Sequence, residues 1–368
     1  MKVLHICSNY TDTMLYQKLN DELNKKDINQ TFVVPNSYSS SCNFDLNSNV
    51  KVLKCYPKWF RIAYHIKQLV IRKAINRLID VSEYDIIHAH LLFTNGYLAY
   101  KIKRRYGIPY VVAVRNTDVN DFFKHMRHLR SLGIKILKEA DEIVFLSKAY
   151  YEQMLEKYIP KSFVEQFKAK SVIIPNGIDN FWLENKCYKK TYPPKAEINL
   201  IYAGRIDKNK NIGTTLSAME CLENKGIIVH LDVIGKVEDR SEYAKIINNE
   251  KTTYYSAMKK EDLIKMYRKN DIFIMPSFHE TFGLVYAEAM SQGLPVIYSK
   301  NQGFDGQFKE GEVGFSVNPY DPGEIACKIE TIMENYKDIS KNSSEKSSKY
   351  DWSEIADCYM NIYCEVMK

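Results

Sequence analysis

One pattern constrains this chain more than any other. Short apolar runs, each ended by a turn, alternate with longer amphipathic stretches, and the pattern occurs twice. In the first half the predicted strands are 2–8, 30–35, 50–55, 84–90, 109–115, 142–147 and 171–175. Predicted helices lie between them at 14–26, 59–80, 95–106, 121–139 and 148–158. The turn Pro175-Asn176-Gly177-Ile178-Asp179 interrupts the series, because Asn-Gly takes positive φ cheaply. A polar stretch with Pro193-Pro194 follows, and the hinge is placed there. The pattern then restarts, with strands at 198–203, 230–234, 252–255, 271–276 and 295–299 and helices near 211–224, 260–269, 282–292 and 322–336. Strands separated by helices call for parallel sheets with right-handed crossovers. The expectation is an α/β protein of two Rossmann-like domains facing each other, with ligands outside the carboxyl ends of the strands. A last helix over 352–368 carries Trp352, Ile355, Tyr359, Ile362 and Tyr363 at helical spacing.

Length fits two domains: 368 residues at roughly 100–200 per domain. A 45% hydrophobic and 26% charged composition is that of a folded globular chain. The first eight residues read as a buried strand and lack the apolar core of an export signal. No run of about 18 apolar residues is present, so no transmembrane helix is expected. The eight cysteines form no Cys-x-x-Cys pair and are expected to be reduced thiols in a cytoplasmic protein. The net charge of +7 is unevenly spread. Residues 1–180 hold 27 Lys and Arg against 17 Asp and Glu; the remainder holds 25 against 28. Residues 58–78 alone carry six basic residues and no acid, alongside Trp59 and Phe60. Such a stretch fits a crossover helix with a solvated basic face, and that face also suits an anionic membrane surface.

The chemistry concentrates in Pro276-Ser277-Phe278-His279-Glu280-Thr281-Phe282-Gly283-Leu284-Val285-Tyr286-Ala287-Glu288. A buried strand ends, a short loop carries Glu280, and a helix is expected to open at Thr281-Phe282-Gly283. Its unpaired amides suit a phosphate, and Gly283 lets a ligand approach the backbone. Glu288 shares a face with Leu284, and a carboxylate there suits paired ribose hydroxyls. The same residues also fit a plain structural role, with Glu280 a helix cap and Glu288 solvated. Upstream, Gly204-Arg205-Ile206-Asp207-Lys208-Asn209-Lys210-Asn211 is another strand end leading into a helix. Arg205 and Lys210 there suit a diphosphate. His88 and His90 stand two apart on one strand face; the expectation is that one lines the cleft and the other packs, rather than that they hold a metal. His279 beside Glu280 is cleft-lining or solvated.

Taken together these motifs resemble the retaining GT-B glycosyltransferases of family 4. The Glu-x7-Glu spacing matches Glu280 and Glu288, the Gly-Arg…Lys-Asn motif matches Gly204, Arg205, Lys210 and Asn211, and the Pro-Asn-Gly-Ile-Asp turn matches 175–179. The resemblance implies an acceptor domain over 1–178 with the helix 352–368 returning to it, and a donor domain over 179–351. It implies Arg205 and Lys210 on the donor diphosphate, Glu280 on the sugar, and the amides of Phe282, Gly283 and Leu284 on phosphate or sugar. It further implies Glu288 on the ribose, and Gly204 and Tyr255 among the donor contacts. No metal or other cofactor is implied, and the donor is a nucleotide sugar, most often of UDP. The acceptor would be a glycan or lipid-linked glycan.

The first domain departs most from the family. Its first loop reads Ser8-Asn9-Tyr10-Thr11-Asp12, where many members have a glycine pair. A common His-Gly-Thr-Asp appears as Arg115-Asn116-Thr117-Asp118. In the second domain, Ser256 stands where the family has glycine, and the glycine-rich end near Gly235 is reduced. Tyr10, Thr11, His90, Arg115 and Asp118 are the candidate acceptor-side residues. The competing readings are a non-hydrolysing sugar-nucleotide epimerase of the same architecture and a basic nucleic-acid-binding protein. The Glu-x7-Glu block opposes the first, and the lack of an aromatic-interleaved basic sheet or helix-turn-helix signature opposes the second.

Overall fold

The computed structural model describes residues 1–42, 44–61, 63–188 and 196–368. The expected hinge at Pro193-Pro194 lies outside them. The chain divides into two compact units. One holds Met1–Leu146, Tyr150–Asn176 and Trp352–Lys368; the other holds Ser147–Ala149 and Gly177–Asp351. Among the described residues, no helix is long and apolar enough to cross a membrane. All eight cysteines are free thiols.

The first unit is built on seven strands: β1 (Lys2–Ile6), β2 (Asn29–Ser37), β3 (Val50–Tyr56), β4 (Ile86–Ala89), β5 (Tyr110–Val114), β6 (Glu142–Phe145) and β7 (Ser171–Ile173). All pair in parallel, in the order β3-β2-β1-β4-β5-β6-β7. The central strands are apolar on both faces because helices cover both. In β5, Tyr110, Val112 and Val114 enter one core cluster, and Val111 and Ala113 enter another on the opposite face. The second cluster is closed by the helix Trp352–Val366, whose Trp352, Ile355, Tyr359, Ile362 and Tyr363 pack with Val3, Ile86 and Val111. The last helix therefore belongs to the first unit, although the second unit lies between them in sequence.

The second unit repeats the architecture with β8 (Glu197–Ala203), β9 (Ile228–Ile234), β10 (Thr252–Tyr255), β11 (Ile272–Ile274), β12 (Val296–Ser299) and β13 (Gly314–Val317). These also pair in parallel, in the order β10-β9-β8-β11-β12-β13. In both sheets the strand order reverses beside the first strand, between β1 and β4 and between β8 and β11. Loops leaving the carboxyl ends at such a point diverge and open a crevice.

Several elements depart from expectation. The stretch expected as a helix over 59–80 is a 3-10 turn, Lys58–Arg61, followed by the helix Tyr64–Leu78. The expected helix 121–139 is a π turn, a 3-10 turn and only then the helix Arg130–Glu139. Strand β13 was not foreseen, since four residues opening on glycine carry little strand signal. Nor was the helix Tyr336–Lys346, whose buried face is largely serine. There the hydroxyl of Ser340 donates to the Gly293 carbonyl at 2.6 Å and that of Ser343 to the Val313 carbonyl at 3.1 Å.

Because the last helix closes one face of the first sheet, Ile355→Ala should destabilise the protein by about 2–4 kcal/mol. Urea denaturation checks this, and the exposed Met367→Ala should change stability by no more than about 0.5 kcal/mol.

Candidate functional site

The strongest constellation lies at the strand reversal of the second sheet. The turn after β8 and the loop after β11 meet there and are laced together mainly by asparagine. The Asn209 carbonyl accepts from the Phe278 amide at 2.8 Å. The Asn209 side chain accepts from the His279 amide at 3.0 Å and donates to the His279 carbonyl at 2.9 Å. Asn211 Nδ2 donates to the Pro276 carbonyl at 3.0 Å and to the Pro319 carbonyl at 2.6 Å. From the other side, Gln302 accepts from the Glu280 amide at 3.0 Å. The Gly303 amide donates to the Glu280 carbonyl at 3.0 Å. Gly303 sits so close to the Thr281–Phe282 peptide that a Cβ would lie 2.0 Å from the Thr281 carbonyl oxygen.

This lacing brings Lys210 and Glu280 together. Lys210 Nζ stands 2.6 Å from Glu280 Oε2, and each side chain is only 12% exposed. A second carboxylate oxygen of Glu280 accepts from the Thr281 amide at 3.1 Å. Arg205 is 61% exposed, 3.1 Å from Glu238 and 3.7 Å from Asp207. Gly204 directly follows β8 and Tyr255 ends β10, the two strands on either side of β9. The Gly204 amide donates to the Ile234 carbonyl at 2.9 Å, and the Gly235 amide to the Tyr255 carbonyl at 3.0 Å.

The helix begins later than expected, at Leu284, and ends at Ser291. Gly283 is its N-cap, with φ +75° and ψ 59°, a left-handed conformation that favours glycine. A Cβ there would also lie 2.3 Å from the Tyr286 ring. No side chain caps this helix, so Glu280 is not its cap. The amides of Gly283, Leu284 and Val285 have no acceptor among the described residues. They are the donors a helix start offers to an anion. The Phe282 side chain is buried against Tyr350, edge to face at 5.8 Å, so it anchors the loop.

Glu288 lies within that helix and is half-buried, not solvated. Its carboxyl is pushed up to about 7, first by burial and then by the charge of Asp179, while a hydrogen bond with Trp182 opposes the shift. Asp179 is held 2.9 Å from Lys260 and also accepts from the Phe181 amide. His279 is exposed; its contribution is the backbone pair to Asn209.

In the first unit the candidates also gather where the strand order reverses, but their side chains point inward. Tyr10 is fully buried with Cys7, Phe32 and Val34, and its hydroxyl accepts from Asn20 at 3.0 Å. Its expected place on a cleft is corrected: the ring is core. Thr11 is buried and accepts from Asn36 at 2.9 Å. His88 and His90 are both fully buried, so neither lines a surface. Their rings stack 3.9 Å apart, and His5 joins them with Nδ1 3.1 Å from His90 Nε2. Burial, more than any neighbour, lowers His5 to about 3 and both partners well below the usual range. The three bring their ring nitrogens within 4.8 Å of one another, as a metal would need, but the Arg115 charge opposes a cation there. Arg115 is enclosed; it hydrogen-bonds Tyr359, and its Nε reaches the His90 carbonyl at 3.4 Å. Asp118 is buried and accepts from the amides of Leu92, Phe93 and Arg115 at 3.0–3.1 Å. Burial nonetheless pushes its carboxyl up to about 6.

Asn209, Gln302, Gly303, Trp182 and Asp179 escaped the sequence reading of the site. Each acts through tertiary proximity, and only Asn209 and Asp179 stand inside motifs that could have marked them.

Comparison with known proteins identifies the family and the fold. Residues 186–350 match the family model of glycosyl transferases group 1, and residues 17–180 match that of glycosyltransferase family 4. An uncharacterized glycosyltransferase of Methanocaldococcus jannaschii is 24% identical over 78% of this chain and 76% of its own length. The capsular polysaccharide biosynthesis glycosyltransferase CapM of Staphylococcus aureus is 30% identical over 50% of this chain and 52% of its own. The solved structure of Anabaena HepE in complex with UDP superposes with a TM-score of 0.70 at 15% identity, covering 99% of this chain and all of that one. The fold is GT-B. The chain belongs to the group 1 glycosyltransferases.

The raised Glu288 carboxyl has a consequence for stability. Between about pH 4.5 and 7 the folded state binds more protons at this group than the unfolded state does, so its contribution falls as pH rises. Glu288→Gln should therefore gain about 1–2 kcal/mol on wild type over that window, in unliganded protein. Denaturation at both ends of the window checks it; parallel pH profiles would refute it.

Proposed function

We propose that this glycosyltransferase moves a sugar from a nucleotide-sugar donor, with UDP as the nucleotide, to a glycan or lipid-linked glycan acceptor, retaining configuration at the reacting carbon. The observation that carries the reading is the Lys210–Glu280 pair beside the three open amides of Gly283, Leu284 and Val285. A cation, a helix start and an exposed guanidinium at one strand reversal make an anion site, and a diphosphate is the anion whose size and charge use all three.

Each residue then has a task. Arg205 and Lys210 take the diphosphate, supplying the positive charge that a leaving group needs as it departs. The amides of Phe282, Gly283 and Leu284 face phosphate or sugar. Glu280, released from Lys210, accepts from sugar hydroxyls. Glu288 accepts from the ribose, and Gly204 and Tyr255 lie along the donor. The bond between the anomeric carbon and the diphosphate oxygen breaks, and the acceptor oxygen bonds that carbon on the same face. The acceptor's proton passes to the departing diphosphate. No metal is needed in this scheme. The first unit would hold the acceptor. HepE in complex with UDP supports the choice of nucleotide, and CapM supports a surface polysaccharide of a bacterium as the product. The cytoplasm is the place of action this reading implies.

The test is a panel of nucleotide sugars with UDP release as the readout. A UDP-hexose should be turned over, with the anomeric configuration of the product unchanged by NMR. Turnover of GDP-sugars alone would overturn the nucleotide assignment. Epimerised UDP-sugar with no transfer would overturn the reaction. Arg205→Ala should lower kcat by about 100–1000-fold, the range for losing one donor to a developing anion. Glu288→Ala should weaken UDP binding about tenfold, measured by calorimetry.

A further inference from the structure

Between Asp45 and Asp80 the chain carries eight Lys or Arg and no acid. The fold collects part of this charge on one face of the first unit. Strand β3 is the edge of the sheet, and the helix Tyr64–Leu78 packs beside it. That helix buries Gln68, Ile71 and Ile75, as a crossover helix should. Its opposite face repeats at steps of three and four residues as Ile66, Leu69, Lys73 and Arg77. On that face Ile66 is 53% and Leu69 is 46% exposed, and in the preceding turn Trp59 is 65% exposed.

An open groove of about 550 Å³ runs between the helix and the strand. Its walls include Tyr38 and Leu53 on one side, Val70 on the other, and the cations Lys54, Lys73 and Arg77; no acid lines it. None of these three cations forms an ion pair with a described carboxylate. Lysines on an edge strand suffice to block strand pairing. A three-cation groove flanked by exposed tryptophan, isoleucine and leucine exceeds that need.

We propose that this face docks on an anionic phospholipid bilayer, with a lipid phosphate in the Lys54–Lys73–Arg77 groove and Trp59, Ile66 and Leu69 in the interfacial layer. Charge complementarity chooses the occupant: a surface of negative headgroups over an apolar layer matches cations beside exposed apolar side chains. The inference does not depend on the identity of the sugar donor.

The protein itself supplies the probe. Trp59 is exposed, while Trp182 and Trp352 are 2% and 3% exposed, so a change in tryptophan emission on binding reports this face. Vesicles of two parts phosphatidylcholine to one part phosphatidylglycerol should sediment the full chain at low salt and shift its emission to the blue. Pure phosphatidylcholine vesicles should do neither. Trp59→Phe should abolish the shift while leaving far-UV circular dichroism unchanged. The triple variant Lys54→Gln, Lys73→Gln, Arg77→Gln should bind about a hundredfold more weakly, at roughly fivefold per basic residue near the surface, and should retain wild-type UDP-sugar turnover. Should that variant fail to fold, raised salt on the wild type gives the same information: binding must fall as the charges are screened. Equal binding to both vesicles, no binding, or an emission shift that persists in Trp59→Phe would overturn the proposal. So would thermal stabilisation by inorganic phosphate without vesicle binding, which would make the groove a free-phosphate site.

Discussion

The ion pair between Lys210 and Glu280 is the contact around which the second unit's site is arranged. Two charges that are mostly withdrawn from water need close partners, or the loss of hydration outweighs their attraction. The fold meets that need by lacing two loops from different strands. Asn209 holds the His279 backbone from both sides, and Asn211 holds the Pro276 carbonyl. Gln302 and Gly303 hold Glu280 by its own backbone. At Gly303 the approach is so close that a Cβ would lie 2.0 Å from the Thr281 carbonyl oxygen. The result is a charged pair set beside a helix start whose amides are left open, at the strand reversal where the sheet opens a crevice.

The first unit uses the same topology differently. Its loops at the strand reversal are tied by Ser8 and Asn95, whose side chains bond at 2.7 Å. Asp118 gathers three amides from two loops, and His5, His88 and His90 fill the space behind as neutral rings. The last helix reaches this network through the hydroxyl of Tyr363, 2.6 Å from His88. The polar residues of one unit serve internal order there, while the other keeps an exposed guanidinium, Arg205, and three helix-start amides without an acceptor among the described residues.

The period of the apolar residues made every strand but β13, and most crossover helices, legible. The paired carboxylates Glu280 and Glu288 stood out because their eight-residue offset and the surrounding residues form one recognisable block. What escaped has physical reasons. The helix Tyr336–Lys346 buries serines, so its hydrophobic pattern is weak. Gly283 was read inside the helix, yet its positive φ puts it just before the first turn. Tyr10 and Arg115 were placed facing a ligand because they stand at positions of the family's loop motifs, and His90 because it stands at a strand end. Burial and local partners claimed them instead, and nothing in a linear sequence shows that His5 lies 3.1 Å from His90 or that Tyr359 pairs with Arg115.

If Lys210 is held by Glu280 only until a diphosphate arrives, binding UDP must first break that pair. Calorimetry with UDP on Glu280→Gln, alone and combined with Lys210→Met, measures this directly. Neutralising Glu280 frees the ammonium, so UDP should bind about three- to tenfold more tightly, the scale of one released charged contact. The added Lys210→Met should remove that gain. Unchanged or weaker binding by Glu280→Gln would contradict the account.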